Sequence, residues 1–184
     1  TTLAEAMLYE CGVIKRRGSI EAGTTVCDYF PVEKEYGYSV FSTVFYAEFG
    51  GKKLNVIDCP GADDFVGNAY TALGVTDTGV ICLNANYGIE VGTLNIFRVT
   101  EKLKKPIVFA LNQIDGEKVD FDNVVEQMKE TFGPKVVLVQ YPLSTGPGMN
   151  AMIDVLMMKK YEWGPDGGKP TISEIPDDQK EKAE

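Results

Sequence analysis

Apolar residues along this chain change their spacing from segment to segment, and the changes mark out its elements. Leu3, Met7 and Cys11 share one helical face and Gly12 follows as a stop, which predicts a helix over residues 2–11. Residues 12–39 are Gly-rich and polar, a length of loop that points to function inside a compact domain. "VFSTVFYAEF" and "KLNVID" read as strands joined at Gly50-Gly51, a hairpin signal. A helical pattern starts near Phe65. "TGVICLNA" and "PIVFALN" are unbroken apolar runs, as expected of strands buried on both faces. Between them Ile96, Val99 and Leu103 predict a helix over 91–104.

Farther on, Phe121, Val124, Val125, Met128 and Phe132 keep the helical period over 121–132, and Gly133 ends it. "KVVLVQYPL" predicts another strand, and Met149, Met152, Ile153 and Leu156 predict a helix with its methionines in the core. From Gly164 onward Pro, Gly and charge predict a surface excursion. There is no internal repeat. Strand–helix alternation of this kind specifies an α/β fold, a doubly wound and mostly parallel sheet with helices on both faces. Its binding loops belong at the strand C-termini.

Composition narrows the function classes. The 184 residues can hold one full-sized core with an insertion, and 44% hydrophobic with 24% charged residues is ordinary for a globular domain. A net charge of −9 argues against free DNA or broad electrostatic binding of nucleic acid, though not against local docking to a nucleoprotein. Lys15-Arg16-Arg17 reads either as a solvated loop or as an anion contact. The four cysteines are widely spaced and there is no histidine, so a zinc set and the commonest general base are both missing. No apolar run approaches the roughly 20 residues of a membrane span. A cytoplasmic protein without a membrane partner is the expectation.

Two strand ends carry candidate chemistry. After "NVI" comes Asp58-Cys59-Pro60-Gly61, and after "VFAL" comes Asn112-Gln113-Ile114-Asp115. Asp58 can hold a magnesium ion through water, and the Gly61 N–H can approach a terminal phosphate because no side chain blocks it. Asp115 can accept paired hydrogen bonds from a guanine edge, which adenine cannot supply, and Asn112 can tie neighbouring loops. Each motif alone is an ordinary turn. Their order and shared position at strand ends point together to a guanine-nucleotide domain.

These stretches resemble the GTP-binding domain of translation elongation factor G and of the ribosomal-protection GTPases. "GTTVCDYFPVEKEYGYSV" is similar to that family's first switch, "DCPGADDF" to its second switch D-T-P-G-H-x-D-F, "ANYGIEVGT" to A-x-x-G-V-x-x-Q-T and "NQID" to N-K-x-D. The resemblance runs almost end to end. It implies a P-loop NTPase-type fold, GTP/GDP and Mg as cofactors, the ribosome as partner, and a GTPase reaction. It places Thr1 and Thr2 at the end of the phosphate loop and Ser39 at the magnesium-binding switch threonine. Thr1, Ser39 and Asp58 would hold the metal; Thr1, Thr2, Ser39, Asp58, Gly61, Asn112, Gln113 and Asp115 would line the nucleotide. It also implies that residues 1–134 form the G domain without its first strand and phosphate loop, and that 135–184 begin the inserted subdomain.

Three departures alter what the resemblance implies. Ala62 stands where the family carries the histidine that positions the attacking water, leaving no catalytic residue at that position. Hydrolysis is therefore expected to be slow or absent, since a placed acid–base group is commonly worth ~10²–10⁴ in rate. The alternatives are an active GTPase whose water is oriented by another group, and a pseudo-GTPase interaction module that binds no nucleotide. Gln113 replaces a lysine along the guanine ring, so weaker affinity with guanine preference retained is expected. Tyr36 and Tyr38 replace an arginine and an isoleucine; they either stack on a neighbouring surface or fill the same apolar pocket.

Overall fold

A computed structural model describes residues 1–165 and 167–183. It resolves into two compact units, Thr1–Val80 with Val91–Val108, and Ile81–Glu90 with Phe109–Glu184.

In the first unit, α1 (Thr2–Glu10) leads through a long loop to α2 (Pro31–Tyr36), then β1 (Thr43–Phe49) and β2 (Lys52–Asp58). Ala4 and Leu8 of α1 are buried with Cys27, and Ile14 and Phe45 pack against them. Burying a leucine of this kind stabilises by about 1.5–3 kcal/mol. β1 and β2 pair antiparallel from Thr43↔Asp58 to Phe49↔Lys52. Gly50 and Gly51 both have positive φ, the geometry a two-residue hairpin turn needs. The register sets Asp58 at the open end of the hairpin. A short 3-10 turn at Asp63–Phe65 then feeds α3 (Val66–Val75), which packs on α4 (Val91–Leu103).

The loop 12–39 is folded down rather than free. The buried Glu5 carboxylate of α1 accepts from the backbone N–H of Gly18 at 2.9 Å and from that of Val26. Gly18 has to be glycine, because a Cβ there would collide with the Thr24 carbonyl. α2, unforeseen in the sequence, opens on Pro31 and closes on Gly37 in the left-handed region.

β3 (Gly79–Asn84) and β4 (Ile107–Asn112) pair with each other. The bonds Gly79 N–H to Pro106 O and Ala85 N–H to Asn112 O advance together along both chains, so the two strands run parallel. In the second unit, α5 (Phe121–Phe132) starts at Asp120, whose carboxylate accepts from Asn123 N–H. β5 (Gln140–Pro142), β6 (Ala151–Asp154), β7 (Lys159–Gly164) and β8 (Gly167–Ser173) make one antiparallel sheet in that order. α6 (Lys180–Ala183) follows. The core joins Phe121 and Val125 to Tyr141, Ile153, Ile175 and Ala183.

Several sequence expectations need correction. The helix expected around Met149–Leu156 is strand β6 and a turn: Ala151 and Ile153 point inward while Met152 and Asp154 alternate outward. Period two won over the 3–4 spacing of the apolar residues because β5 and β7 flank this segment on both sides. Of "KVVLVQYPL", only Gln140–Pro142 is strand. β3 is not buried on both faces; Val80 and Cys82 are exposed on one of them. The tail beyond Gly164 is not a mere excursion, since it supplies β8 and α6 and buries Ile175 and Ala183. Among the described residues the strands form three separate sheets, one parallel pair and two antiparallel sheets, rather than one mostly parallel sheet.

Candidate functional site

The candidate residues fall into two groups, one in each unit. In the first unit the loop, the end of β2 and the start of α1 bring oxygens together. Thr1 Oγ1 lies 2.8 Å from Ser39 Oγ, and Ser39 Oγ donates to Asp28 Oδ1 at 2.6 Å. Asp28 Oδ1 also lies 3.4 Å from Thr1 Oγ1, and its Oδ2 accepts from Thr25 Oγ1 at 3.3 Å. Asp58 is within 3.4 Å of the Thr1 nitrogen through both carboxylate oxygens. Asp28 and Thr25 are buried, so this is a held arrangement and not a surface accident.

Sequence reasoning missed Asp28, because a single aspartate in a polar loop carries no spacing signal. Glu33 was also missed. Buried in α2, it accepts from the N–H groups of Phe30, Val40 and Phe41 at 3.1, 3.0 and 3.1 Å. It thereby grips the backbone beyond Ser39.

Two hydroxyls about 2.8 Å apart have the separation of neighbouring ligands around a six-coordinate ion with bonds of ~2.0–2.1 Å, which is roughly 2.9 Å. No group of three or more His, Cys, Asp or Glu side chains suited to a metal occurs among the described residues. The same 2.8 Å is an ordinary distance for a hydrogen bond between the two hydroxyls.

The turn after β2 is open. Gly61 and Ala62 are exposed, and a Cβ added to Gly61 would meet nothing within 4 Å. Ala62 offers only a methyl group. Asp63 Oδ1 sits against α4, 3.1 Å from where a Cβ of Gly92 would be. Thr2 lies exposed in the first turn of α1 and does not join the Thr1–Ser39–Asp28 cluster. The neighbouring thiols are quiet: burial pushes Cys27 up to about 12, and burial likewise raises Cys59 against the opposing Ser42 hydrogen bond. Tyr36 and Tyr38 are exposed with ring centres 5.8 Å apart, so they face each other and leave the pocket-filling alternative aside.

In the second unit Asn112, Gln113 and Asp115 are exposed at the end of β4. Gln113 takes a positive φ of 58°, and Gly116 N–H closes the turn on the Gln113 carbonyl at 3.1 Å. Loops are tied here through the Asn112 carbonyl, which accepts from Ala85 N–H at 2.9 Å, and through Asn84, whose Nδ2 donates to Gln113 Oε1 at 2.7 Å. Asp115 follows this tie directly, with the Ile114 carbonyl accepting from Gly146 N–H behind it.

Residues 1–179 match the family described as the elongation factor Tu GTP binding domain. The chain is 34% identical over 175 residues to an elongation factor G-like protein of Thermotoga maritima, a match covering 95% of this chain and 25% of that protein. It is 33% identical over 171 residues to the mitochondrial ribosome-releasing factor 2 of Bos taurus, covering 92% and 22%. A crystal structure of a protein from Thermus thermophilus matches with a TM-score of 0.88 and 32% identity, over 100% of this chain and 27% of that one. The chain spans about a quarter of the length of these relatives.

Proposed function

Because the chain belongs to the elongation factor Tu GTP-binding domain family, with its P-loop α/β fold, we propose that it is the GTP sensor of an elongation factor G-like translation factor. It acts on the ribosome, as the names of its relatives suggest, and hydrolyses GTP slowly or not at all. The observation that supports this reading is a mismatch between two parts of the same unit. Thr1, Ser39 and Asp28 bring their oxygens together with Asp58 beside Thr1, while the turn after β2 carries Ala62, where the family resemblance places a water-positioning histidine.

Sensing and cleavage make different demands on these residues. Ser39 needs only to reach the terminal phosphate side of the nucleotide, held there by Asp28 and Glu33. Gly61 offers an N–H that no side chain obstructs. Cleavage also needs a polar atom that orients water in line with the leaving oxygen, and the Ala62 methyl has none. Thr1 and Ser39 would hold Mg²⁺ directly and Asp58 through water; when bound, the ion neutralises phosphate charge. Asp115 reads the guanine edge, Asn112 and Gln113 line the base, and Thr2 continues the phosphate loop. The four-stranded antiparallel sheet starting at Gln140 would belong to the inserted subdomain from residue 135. Among the described residues no helix is long and apolar enough to cross a membrane.

Titration of the full-length protein with guanine and adenine nucleotides in Mg²⁺ tests the first half of this reading, and ribosome-stimulated turnover tests the second. GTP should bind in preference to ATP, and GTP and a non-hydrolysable analogue should support the same ribosomal activity. Absence of any nucleotide binding would make the chain an interaction module. Rapid turnover with an inactive analogue would make it an ordinary GTPase.

A further inference from the structure

We infer that Asn84 sets which atoms Gln113 shows to the nucleotide, turning the glutamine into a fixed, uncharged donor where the family resemblance places a lysine. The inference rests on the guanine-site reading given above. It follows from donor and acceptor logic alone. The backbone N–H of Asn86 can only donate, and it lies 2.9 Å from Asn84 Oδ1. The Asn86 side-chain amine donates to the same oxygen at 3.0 Å. Two donors fix the carbonyl end of the Asn84 amide, so its amine end faces Gln113, 2.7 Å away. Gln113 must then turn its Oε1 toward Asn84, which leaves its own amine pointing elsewhere.

Asn86 packs closely on the loop that carries Asp115: a Cβ on Gly116 would collide with the end of the Asn86 side chain, so a larger residue there would push that side chain aside. Gln113 takes a left-handed φ of 58°, and its side chain meets Asn84 through the 2.7 Å hydrogen bond. The outward amine of Gln113 offers two N–H donors and no acceptor. It suits an oxygen acceptor of the guanosine, on the base or the ribose, and would reject a donor in the same place. A lysine would supply a donor with charge; this arrangement supplies one with direction.

The test is whether Asn84 and Gln113 are energetically coupled in nucleotide binding by the full-length protein. In Asn84→Asp the new carboxylate still accepts from Asn86 N–H but confronts Gln113 with an acceptor. Gln113 must swing its amine inward and expose its oxygen to the nucleotide. GDP and GTP affinity should fall about tenfold, the loss of one hydrogen bond to ligand and its replacement by a mismatch. In the Gln113→Lys background the same Asn84→Asp change should cost less than about twofold, since a lysine has no acceptor to misdirect. A merely structural role for Asn84 predicts equal losses in both backgrounds, and that result, or no loss in either, overturns the inference. Thermal unfolding without nucleotide separates misfolding from misdirection; a variant that unfolds early is replaced by Asn84→Ser, which frees the Gln113 amide and should show the same background dependence. Asp115→Asn serves as the reference. If it leaves GTP affinity unchanged, the guanine-site reading itself fails; if it weakens GTP while Asn84→Asp does not, only the present inference fails.

Discussion

Glu33 Oε1 accepts from the backbone N–H of Val40 at 3.0 Å, directly after Ser39 in the chain. The same oxygen takes the Phe41 N–H at 3.1 Å, and the other carboxylate oxygen takes Phe30 N–H at 3.1 Å. One buried carboxylate thus closes the last turn of the loop around the hydroxyl that faces Thr1 and Asp28. Glu33→Ala should cost about 2–4 kcal/mol in urea unfolding, because three backbone donors lose their acceptor. Glu33→Gln keeps one carbonyl oxygen and should cost less than half as much.

Ser39→Ala removes a hydroxyl that touches both Thr1 and Asp28. On the switch role proposed for Ser39, GTP affinity in Mg²⁺ is expected to fall about tenfold while GDP affinity stays within about twofold. Calorimetric titration with both nucleotides checks this. Equal weakening of the two would detach Ser39 from the terminal phosphate.

Ala62→His should raise ribosome-stimulated hydrolysis, by up to ~10²-fold if the open turn after β2 lets the ring reach the attacking water. Single-turnover release of phosphate measures it. A parent protein that already turns over rapidly would show that another group had taken the task.

Cys27 makes the stability of the first unit sensitive to alkali. Its thiol rises from 9.0 to about 12 in the folded state, chiefly through burial and then through the nearby Asp58 and Glu5 carboxylates. A raised folded value means that the folded state holds the proton more tightly. The contribution is therefore complete below about pH 9 and is lost as pH climbs from 9 toward 12. Cys27→Ala should flatten that part of the stability profile, and the native thiol should resist alkylation at pH 9 that the unfolded chain undergoes.

What was legible in the sequence was whatever could be written as local spacing. α5 is the clearest case: five apolar residues at helical period and a terminal glycine agree, and the helix spans Phe121–Phe132. The hairpin from Thr43 to Asp58 was equally plain, because Gly50-Gly51 fixed its turn. Asp58 was read from its strand end and Thr1 and Ser39 from the family resemblance; Thr1 lies beside both of the others. Asp28, Glu33 and Asn84 were invisible for the opposite reason. Each acts across the chain, on residues 7 to 29 positions away or on several backbone groups at once, so no short pattern announces them. The segment at Met152 and Ile153 failed differently. Its spacing suits a helix as well as a strand, and only pairing with β5 and β7 decides between them.

The β1–β2 hairpin has a consequence for handling the protein. Among the described residues β1 and β2 pair only with each other, which leaves one row of backbone donors and acceptors without a strand partner along the outer side of each, and Val44, Tyr46 and Phe49 of β1 stand exposed. Such a margin is a template for strand addition. Self-association with rising concentration is the expected outcome, and light scattering measures how well an added strand-forming peptide suppresses it. Solubility thus becomes an assay for whatever strand can lie beside β2.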